Sequence, residues 1–374
     1  METAAESASR APAGALRARL SGLADRFAWP LQASHYLELL NPRWTSHALH
    51  ASVEAHCDET HDVRTLTLRP GRGWRRHRAG QHVRLGVPIG GTVHLRTYSI
   101  SSPPEREDGC ITITVKAVPD GRVSRHLVRG IQPGAQLLLG LPQGDFVLPE
   151  AAPVQAVFVS GGSGITPLMS MLRSRASRGD VPDIVHLHYA RTARDLIFRD
   201  ELAALVKKHP RYRLHLVTTR TAGETGIAGH FSGAQLDQLC PDWKERDAYA
   251  CGPQGLLADL EAQWRGAALL RRLHIERFRA ALAETPADAA GGRVRFARSS
   301  REIEADGRTS LLRVAEDAGL RPSHGCRMGI CHSCTVTLRA GCVRDLRNNT
   351  LTDEPGSRVQ ICVCAAAGDV ELEA

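Results

Sequence analysis

Nowhere in the 374 residues does an apolar run approach the length of about eighteen needed to cross a bilayer as a helix. The N-terminal residues do not read as a secretory or transit leader either. The first 28 residues are rich in Ala and Arg, but they carry Glu2, Glu6 and Asp25, and no small-residue cleavage site follows an apolar core. They read as a short amphipathic helical arm on a cytoplasmic protein. Aromatic residues make up only 5% of the chain, and no basic helix interleaves them with arginine, which argues against a nucleic-acid surface. The G-x-G-x-x-G dinucleotide fingerprint is absent, and no internal repeat is visible. Lysine is absent after residue 292: the last 82 residues hold twelve Arg against eleven Asp and Glu. Of the formal charge of +8, therefore, +7 belongs to residues 1–292. That excess suits a nucleotide cofactor and an acidic redox partner.

What the chain does have is ten cysteines, six of them crowded into the last fifty residues. With no secretory context, a disulfide framework is excluded and a metal site is favoured. "SHGCRMGICHSC" spaces Cys326, Cys331 and Cys334 as C-x(4)-C-x(2)-C, and either Cys362 or Cys364 follows inside "RVQICVCAAAGDVELE". This is the plant-type spacing for a [2Fe–2S] cluster held by four thiolates, with a potential typically about −400 mV. Gly325 and Gly329 permit the turns that aim backbone amides at sulfur. A zinc ribbon needs two C-x(2)-C pairs and only one is present. His324 and His332 do not form the two separated Cys–His pairs of a Rieske centre and read as loop residues. Cys342 reads as structural.

Periodicity divides the chain. "HDVRTLTL" (61–68), "QHVRLGV" (81–87), "GCITITVKAV" (109–118) and "AQLLLGL" (135–141) alternate as half-buried strands, which suggests a closed antiparallel barrel over 45–151 behind the arm of 1–44. From 152 to 282 the rhythm becomes strand–helix. Buried runs at 153–160, 183–190, 212–219 and 247–251 alternate with helical stretches at 167–175, 198–209 and 253–264, the mark of a parallel α/β sheet. "AETPADAAGG" (283–292) reads as a linker. A third unit, 293–374, opens with a strand, a turn at Asp306-Gly307 and a helix from Ser310.

Three motifs join these units to chemistry. "RTYSISS" starts at Arg96 where a barrel strand ends. Arg96 suits a pyrophosphate, Tyr98 the face of an isoalloxazine and Ser99 its N5 edge. "GRVSRHL" (121–127) opens a helix whose first amides, with Ser124, suit the same pyrophosphate. "VFVSGGSGITPLMS" runs a buried strand through Gly161, Gly162 and Gly164 into a helix that Pro167 is expected to start. Its glycines admit a phosphate to the backbone, and Thr166 is expected to face a nicotinamide–flavin junction.

Taken in order with Cys251-Gly252-Pro253, these motifs resemble the ferredoxin–NADP⁺ reductase superfamily, and residues 45–374 look like its branch with a C-terminal plant-type ferredoxin. The resemblance implies an antiparallel FAD-binding β-barrel, a parallel nucleotide-binding α/β domain and a β-grasp ferredoxin. It implies flavin contacts from Arg96, Thr97, Tyr98, Ser99, Lys116, Gly121, Val123 and Ser124. Nicotinamide-nucleotide contacts would come from Gly161, Gly162, Gly164, Thr166, Pro167, Gly252 and Pro253, with Ser99 and Cys251 flanking the nicotinamide. His274, Glu276 and Phe278 fall where related reductases lay a C-terminal segment on the flavin. The Asp369-Val370 step favours Cys362 over Cys364 as fourth cluster ligand. Arg191 after "HLHYA" and Arg220 in "TTRT" suit a 2′-phosphate, favouring NADPH over NADH. The implied path is NAD(P)H to FAD to [2Fe–2S] to a redox protein. "YLELLNPRW" (36–44) and "RLHIERF" (272–278) point to a membrane-bound fatty-acyl desaturase approached peripherally. The alternatives are a ring-hydroxylating or haem mono-oxygenase as acceptor and, in another class, a redox-sensing regulator.

Overall fold

The computed structural model describes residues 49–119, 121–220, 226–278, 286, 289–324, 329 and 332–374. The expected arm, half of the expected linker, Gly325, Cys326 and Cys331 lie outside these residues.

The first unit is built from β1 (His50–Thr60), β2 (Val63–Pro70), β3 (His82–Ile89), β4 (Thr92–Ser99), β5 (Ile111–Lys116) and β6 (Gln136–Leu139). The strands run antiparallel in the order β4-β3-β6-β1-β2-β5. A bridge between Ile100 and Ile113 joins the two ends of that order and closes the barrel. Alternation explains its core. Leu66, Leu68, Val83, Leu85, Ile111 and Ile113 all point inward and are all but sealed from solvent, each worth about 1.5–3 kcal/mol over exposure. The expected strand at 61–68 begins two residues late, because His61 and Asp62 form the turn between β1 and β2. β1 itself was not expected: "HASVEAHCDET" carries charge through its exposed second half and lacks apolar alternation. Gly90 and Gly91, both at positive φ, make the two-residue turn between β3 and β4. Between β5 and β6 lies α1 (Arg122–Arg125), which continues as a π-turn over His126–Gly130.

The second unit is a parallel sheet of β7 (Gln155–Gly161), β8 (Asp183–Ala190), β9 (Tyr212–Thr218), β10 (Asp247–Cys251) and β11 (Leu273–Glu276) in the order β11-β10-β7-β8-β9. Helices α2 (Ile165–Arg178) and α3 (Arg199–Lys208) cover one face, while α4 (Gly233–Leu239) and α5 (Gln254–Gly266) cover the other. Strands buried on both faces read as unbroken apolar runs, which is why this sheet was legible. On the α2–α3 face, Ser160 bonds both His186 Nε2 (2.8 Å) and His188 Nδ1 (2.7 Å), and Tyr212 bonds His186 Nδ1 (2.8 Å). Burial holds both imidazoles below their usual range, His188 to about 4. Val63, Phe146 and Leu148 of the barrel unit pack into the core beneath α2, so one apolar mass spans both units.

The third unit holds β12 (Gly292–Phe296), β13 (Arg301–Ala305), α6 (Leu311–Asp317), β14 (Thr335–Asp345), β15 (Leu351–Thr352), β16 (Arg358–Gln360) and β17 (Cys364–Leu372). The sheet order is β13-β12-β17-β14-β15, with β12 and β17 parallel and β16 beside β14. Ser310 caps α6 by accepting from the Arg313 amide at 3.4 Å, as its position in the sequence suggests. Leu311, Leu312 and Ala315 pack on Val294, Phe296, Leu338 and Val370, and every residue of this core lies beyond 293.

Candidate functional site

The β3–β4 hairpin brings the first set of groups together. Thr97 Oγ1, Ser99 Oγ and His94 Nε2 on β4 are all buried with no hydrogen-bond partner. Proteins seldom leave such atoms orphaned, so one strand bearing three of them suits a polar ligand laid against it. Arg96 Nη1 donates to the Leu95 carbonyl at 2.7 Å, and burial pushes the Tyr98 hydroxyl well above its usual range. His94 is held low by burial and by the charges of Arg122 and Arg96. Arg122 comes from α1 and reaches back to the hairpin turn, its Nη2 lying 3.2 Å from where a Cβ on Gly90 would sit. This cationic group suits a pyrophosphate. His94 and Arg122 were not singled out from the sequence, although each stands within two residues of a motif.

Gly121 and Ser124 are locked together. Ser124 Oγ donates to the Gly121 carbonyl (3.2 Å), accepts from the Val118 amide (3.1 Å), and lies 2.4 Å from where a Gly121 Cβ would be. Val123 is buried in the barrel core. Lys116 is ion-paired to Asp62 at 2.7 Å at the end of β5.

The second set lies at the carboxyl ends of β7 and β10, where the sheet order reverses and open α/β sheets place their ligands. Gly161 and Gly164 meet the Cys251-Gly252-Pro253 segment almost backbone to backbone. A Cβ on Gly164 would lie 2.1 Å from the Cys251 carbonyl oxygen, and one on Gly161 2.6 Å from Pro253 Cδ. Gly162 takes φ +53° with open space beside it. One expectation needs correction here. Helix α2 starts at Ile165, not Pro167, because a 3-10 turn over Gly162–Gly164 feeds straight into it; Pro167 is tolerated in the first turn, where its missing N–H has no partner to lose. Thr166 Oγ1 donates to the Ser163 carbonyl at 2.9 Å, which fixes the hydroxyl at the turn into α2.

These two sets meet. Strand register places His82 beside Ser99 and Cys251 beside Glu276. His82 Nδ1 lies 3.3 Å from Glu276 Oε1, both side chains 13% exposed, while Glu276 Oε2 is buried without a partner. Cys251 is fully buried, and desolvation, then the Glu276 charge, keeps its thiol protonated. Ser99 and Cys251 thus line one dry junction bridged by an acid and an imidazole. His82 had no signal in the sequence, because it arrives through cross-strand pairing. His274 stacks on Tyr249 at 4.7 Å, and Phe278 follows β11 half-buried. Arg191 and Arg220 leave the ends of β8 and β9 exposed, the Arg220 amide donating to the Arg191 carbonyl at 2.9 Å.

In the third unit Cys334 and Cys362 are brought within hydrogen-bonding reach, and the Cys362 neighbour pulls the Cys334 thiol down towards the thiolate. The Gly329 amide donates to Cys362 Sγ at 3.3 Å. Gln360 Nε2 fixes that glycine by donating to its carbonyl at 3.0 Å. A close pair of cysteines met by a backbone donor fits cluster ligation. Cys364 sits two residues on, already inside β17 opposite Asp345, and burial pushes its thiol to about 12. His324 turns to the Pro322 carbonyl and Glu316.

Barrel, parallel sheet and cysteine-bearing mixed sheet define a NAD(P)H-dependent flavin and iron–sulfur oxidoreductase. Family models agree in order: an oxidoreductase FAD-binding domain over 50–148, an oxidoreductase NAD-binding domain over 158–262 and a 2Fe-2S iron-sulfur cluster binding domain over 294–367. The chain belongs to the ferredoxin–NADP⁺ reductase superfamily, in the branch that carries a C-terminal ferredoxin. It is 44% identical over 357 residues to an NADPH oxidoreductase of Mycobacterium tuberculosis, covering 95% of this chain and 92% of that protein. It is 32% identical to the glycine betaine monooxygenase reductase subunit of Chromohalobacter salexigens, over 86% and 94% of the two chains. The fold is that of phthalate dioxygenase reductase, with a TM-score of 0.61 at 24% identity over 88% of this chain and 98% of that one. FAD, a [2Fe–2S] cluster and NAD(P)H are its cofactors.

Proposed function

We propose that this chain takes electrons from NADPH and delivers them singly, through its cluster, to a membrane-bound fatty-acyl desaturase. The observation that carries the redox reading is the dry junction where Ser99 and His82 of the barrel meet Cys251 and Glu276 of the parallel sheet. A flavin held there would supply the exchange between two-electron nicotinamide chemistry and one-electron cluster chemistry. The chain supplies position and polarity. Ser99 Oγ offers an uncommitted hydroxyl at the hairpin end. Cys251, a neutral thiol, walls the nicotinamide from water. Glu276 and His82 bring a carboxylate and an imidazole within 3.3 Å of each other across the junction. Arg96 and Arg122 bind the pyrophosphate. Cys326, Cys331, Cys334 and Cys362 hold the cluster, whose role is one-electron export.

NADPH is supported by the paired departure of Arg191 and Arg220 from adjacent strands. Replacing either by Ala should weaken NADPH selectively, by about 1.5–3 kcal/mol for a charged hydrogen bond, and barely move NADH kinetics. Steady-state kinetics with both nucleotides checks this; equal losses would assign the arginines a structural part, and a wild-type preference for NADH would remove the assignment.

The desaturase reading rests on "YLELLNPRW" and "RLHIERF" and on the near-neutral charge of the fused ferredoxin. Among the described residues no helix is long and apolar enough to cross a membrane, so contact with such an acceptor would be peripheral. A second reading, an oxygenase acceptor, is favoured by the name of the glycine betaine monooxygenase reductase relative. Reconstitution separates them: NADPH, this protein and desaturase-containing membranes should form unsaturated product in step with NADPH consumption, and Cys331→Ser should abolish both. Faster electron delivery to a soluble ring-hydroxylating oxygenase would establish the second reading.

A further inference from the structure

One hydrogen bond ties the ferredoxin unit to the flavin barrel at a telling place. Arg84 Nη1, on β3, donates to Ser333 Oγ at 3.0 Å, across 249 residues of sequence. Ser333 is covalently next to the cluster ligand Cys334. Arg84 pairs in register with Thr97, in the middle of the Arg96–Ser99 motif. Cross-strand partners share a side. Arg84 therefore lies on the side of Thr97, whereas Val83 and Leu85 share the side of Tyr98 and Arg96. The side chain is aimed by its surroundings. Its carbonyl accepts from the Gly140 amide of the neighbouring chain segment at 2.7 Å. A Cβ on Gly140 would sit only 3.1 Å from Arg84 Cβ, so the missing side chain leaves room for the arginine stem.

Ser333, at the end of the cysteine loop, therefore addresses the β3–β4 hairpin. Among the described residues the apolar cores give no such tie, since the ferredoxin core contains none from before 294. We propose that Arg84 and Ser333 form a docking latch that holds the cluster loop on the flavin hairpin and so sets the distance for electron transfer within the chain. Arg84 is a positioning residue, acting through Ser333. The step it serves moves one electron from flavin to cluster, with NADPH restoring the flavin; no bond is made or broken. The latch does not depend on which acceptor lies downstream.

The test uses the full-length holoenzyme with Arg84→Ala, Ser333→Ala and Arg84→Lys. Flavin bleaching by NADPH in stopped flow, and ferricyanide turnover, should stay within about twofold of wild type for all three. Cluster reduction should slow by about three- to tenfold in the two alanine variants, the fall in docked population expected for losing one charge-assisted hydrogen bond. The lysine, which keeps a cationic donor, should recover part of it. Two structural readouts accompany the rates. The radius of gyration from small-angle scattering should rise in the alanine variants, and amides of β4 and of residues 332–338 should exchange faster. The resonance spectrum of the dithionite-reduced cluster should not change. Normal cluster reduction in both alanine variants would overturn the proposal. So would slowed reduction with unchanged scattering and exchange, or with an altered cluster spectrum, since either would mean that these residues tune a redox centre and do not dock one unit on another.

Discussion

Replacing Cys362 by Ser is expected to abolish the cluster while leaving the flavin half of the protein working. The purified variant should lose the iron–sulfur absorption and its two irons per chain. Cytochrome c reduction through the cluster should fall by at least about a hundredfold, the upper end for losing even an outer-shell partner of a metal ligand. Flavin reduction by NADPH should be unchanged, because the core around Cys362 contains nothing from the reductase units. Cys362 stands in the turn before β17, in reach of Cys334 and under the Gly329 amide. Cys364 is already committed to the β14–β17 ladder opposite Asp345. Cys364→Ser should therefore keep its cluster. Iron and acid-labile sulfide assays on the two variants decide the matter, and the reverse pattern would move the ligand to Cys364.

That contrast shows what the sequence could carry. Cys326, Cys331 and Cys334 are close in sequence, so their spacing alone suggests the chemistry, whereas the fourth thiolate must come from another element, where the sequence offers two cysteines and only the fold gives them different surroundings. The same division holds at the flavin. Arg96-Thr97-Tyr98-Ser99 is one continuous strand segment, and its motif was readable. His94 and His82 are placed there by the hairpin and its cross-strand pairs, which leave no local pattern, and Arg122, although inside the 121–127 motif, by the reach of its side chain to the hairpin turn. The parallel sheet was legible because its strands are buried on both faces. β1 was not, because its residues 54–58 all face solvent, with Glu54 and Asp58 charged among them. The position of Pro167 misled for a related reason: a proline marks the first turn of a helix but not which residue of that turn it occupies.

Cutting the chain after residue 282 should separate the two halves of the reaction. The barrel and parallel sheet are welded by Val63, Phe146 and Leu148 inside one apolar core, and β11 with Glu276 is retained, so the fragment keeps the whole dry junction. The lost unit carries its own core, and a polar contact such as Arg84 to Ser333 exposes little apolar surface when it goes. Ferricyanide, which accepts electrons at the flavin, should still be reduced with NADPH at a rate within about twofold of the full chain. Cytochrome c reduction should fall by tenfold or more, about what is lost when a tethered module at millimolar effective concentration is removed. Adding the ferredoxin unit, residues 286–374, as a separate chain at micromolar concentration should restore only part of the rate, and the restored rate should climb with the amount added. A fragment that kept full cytochrome c activity would show that electrons leave from the flavin and that the cluster is not their exit.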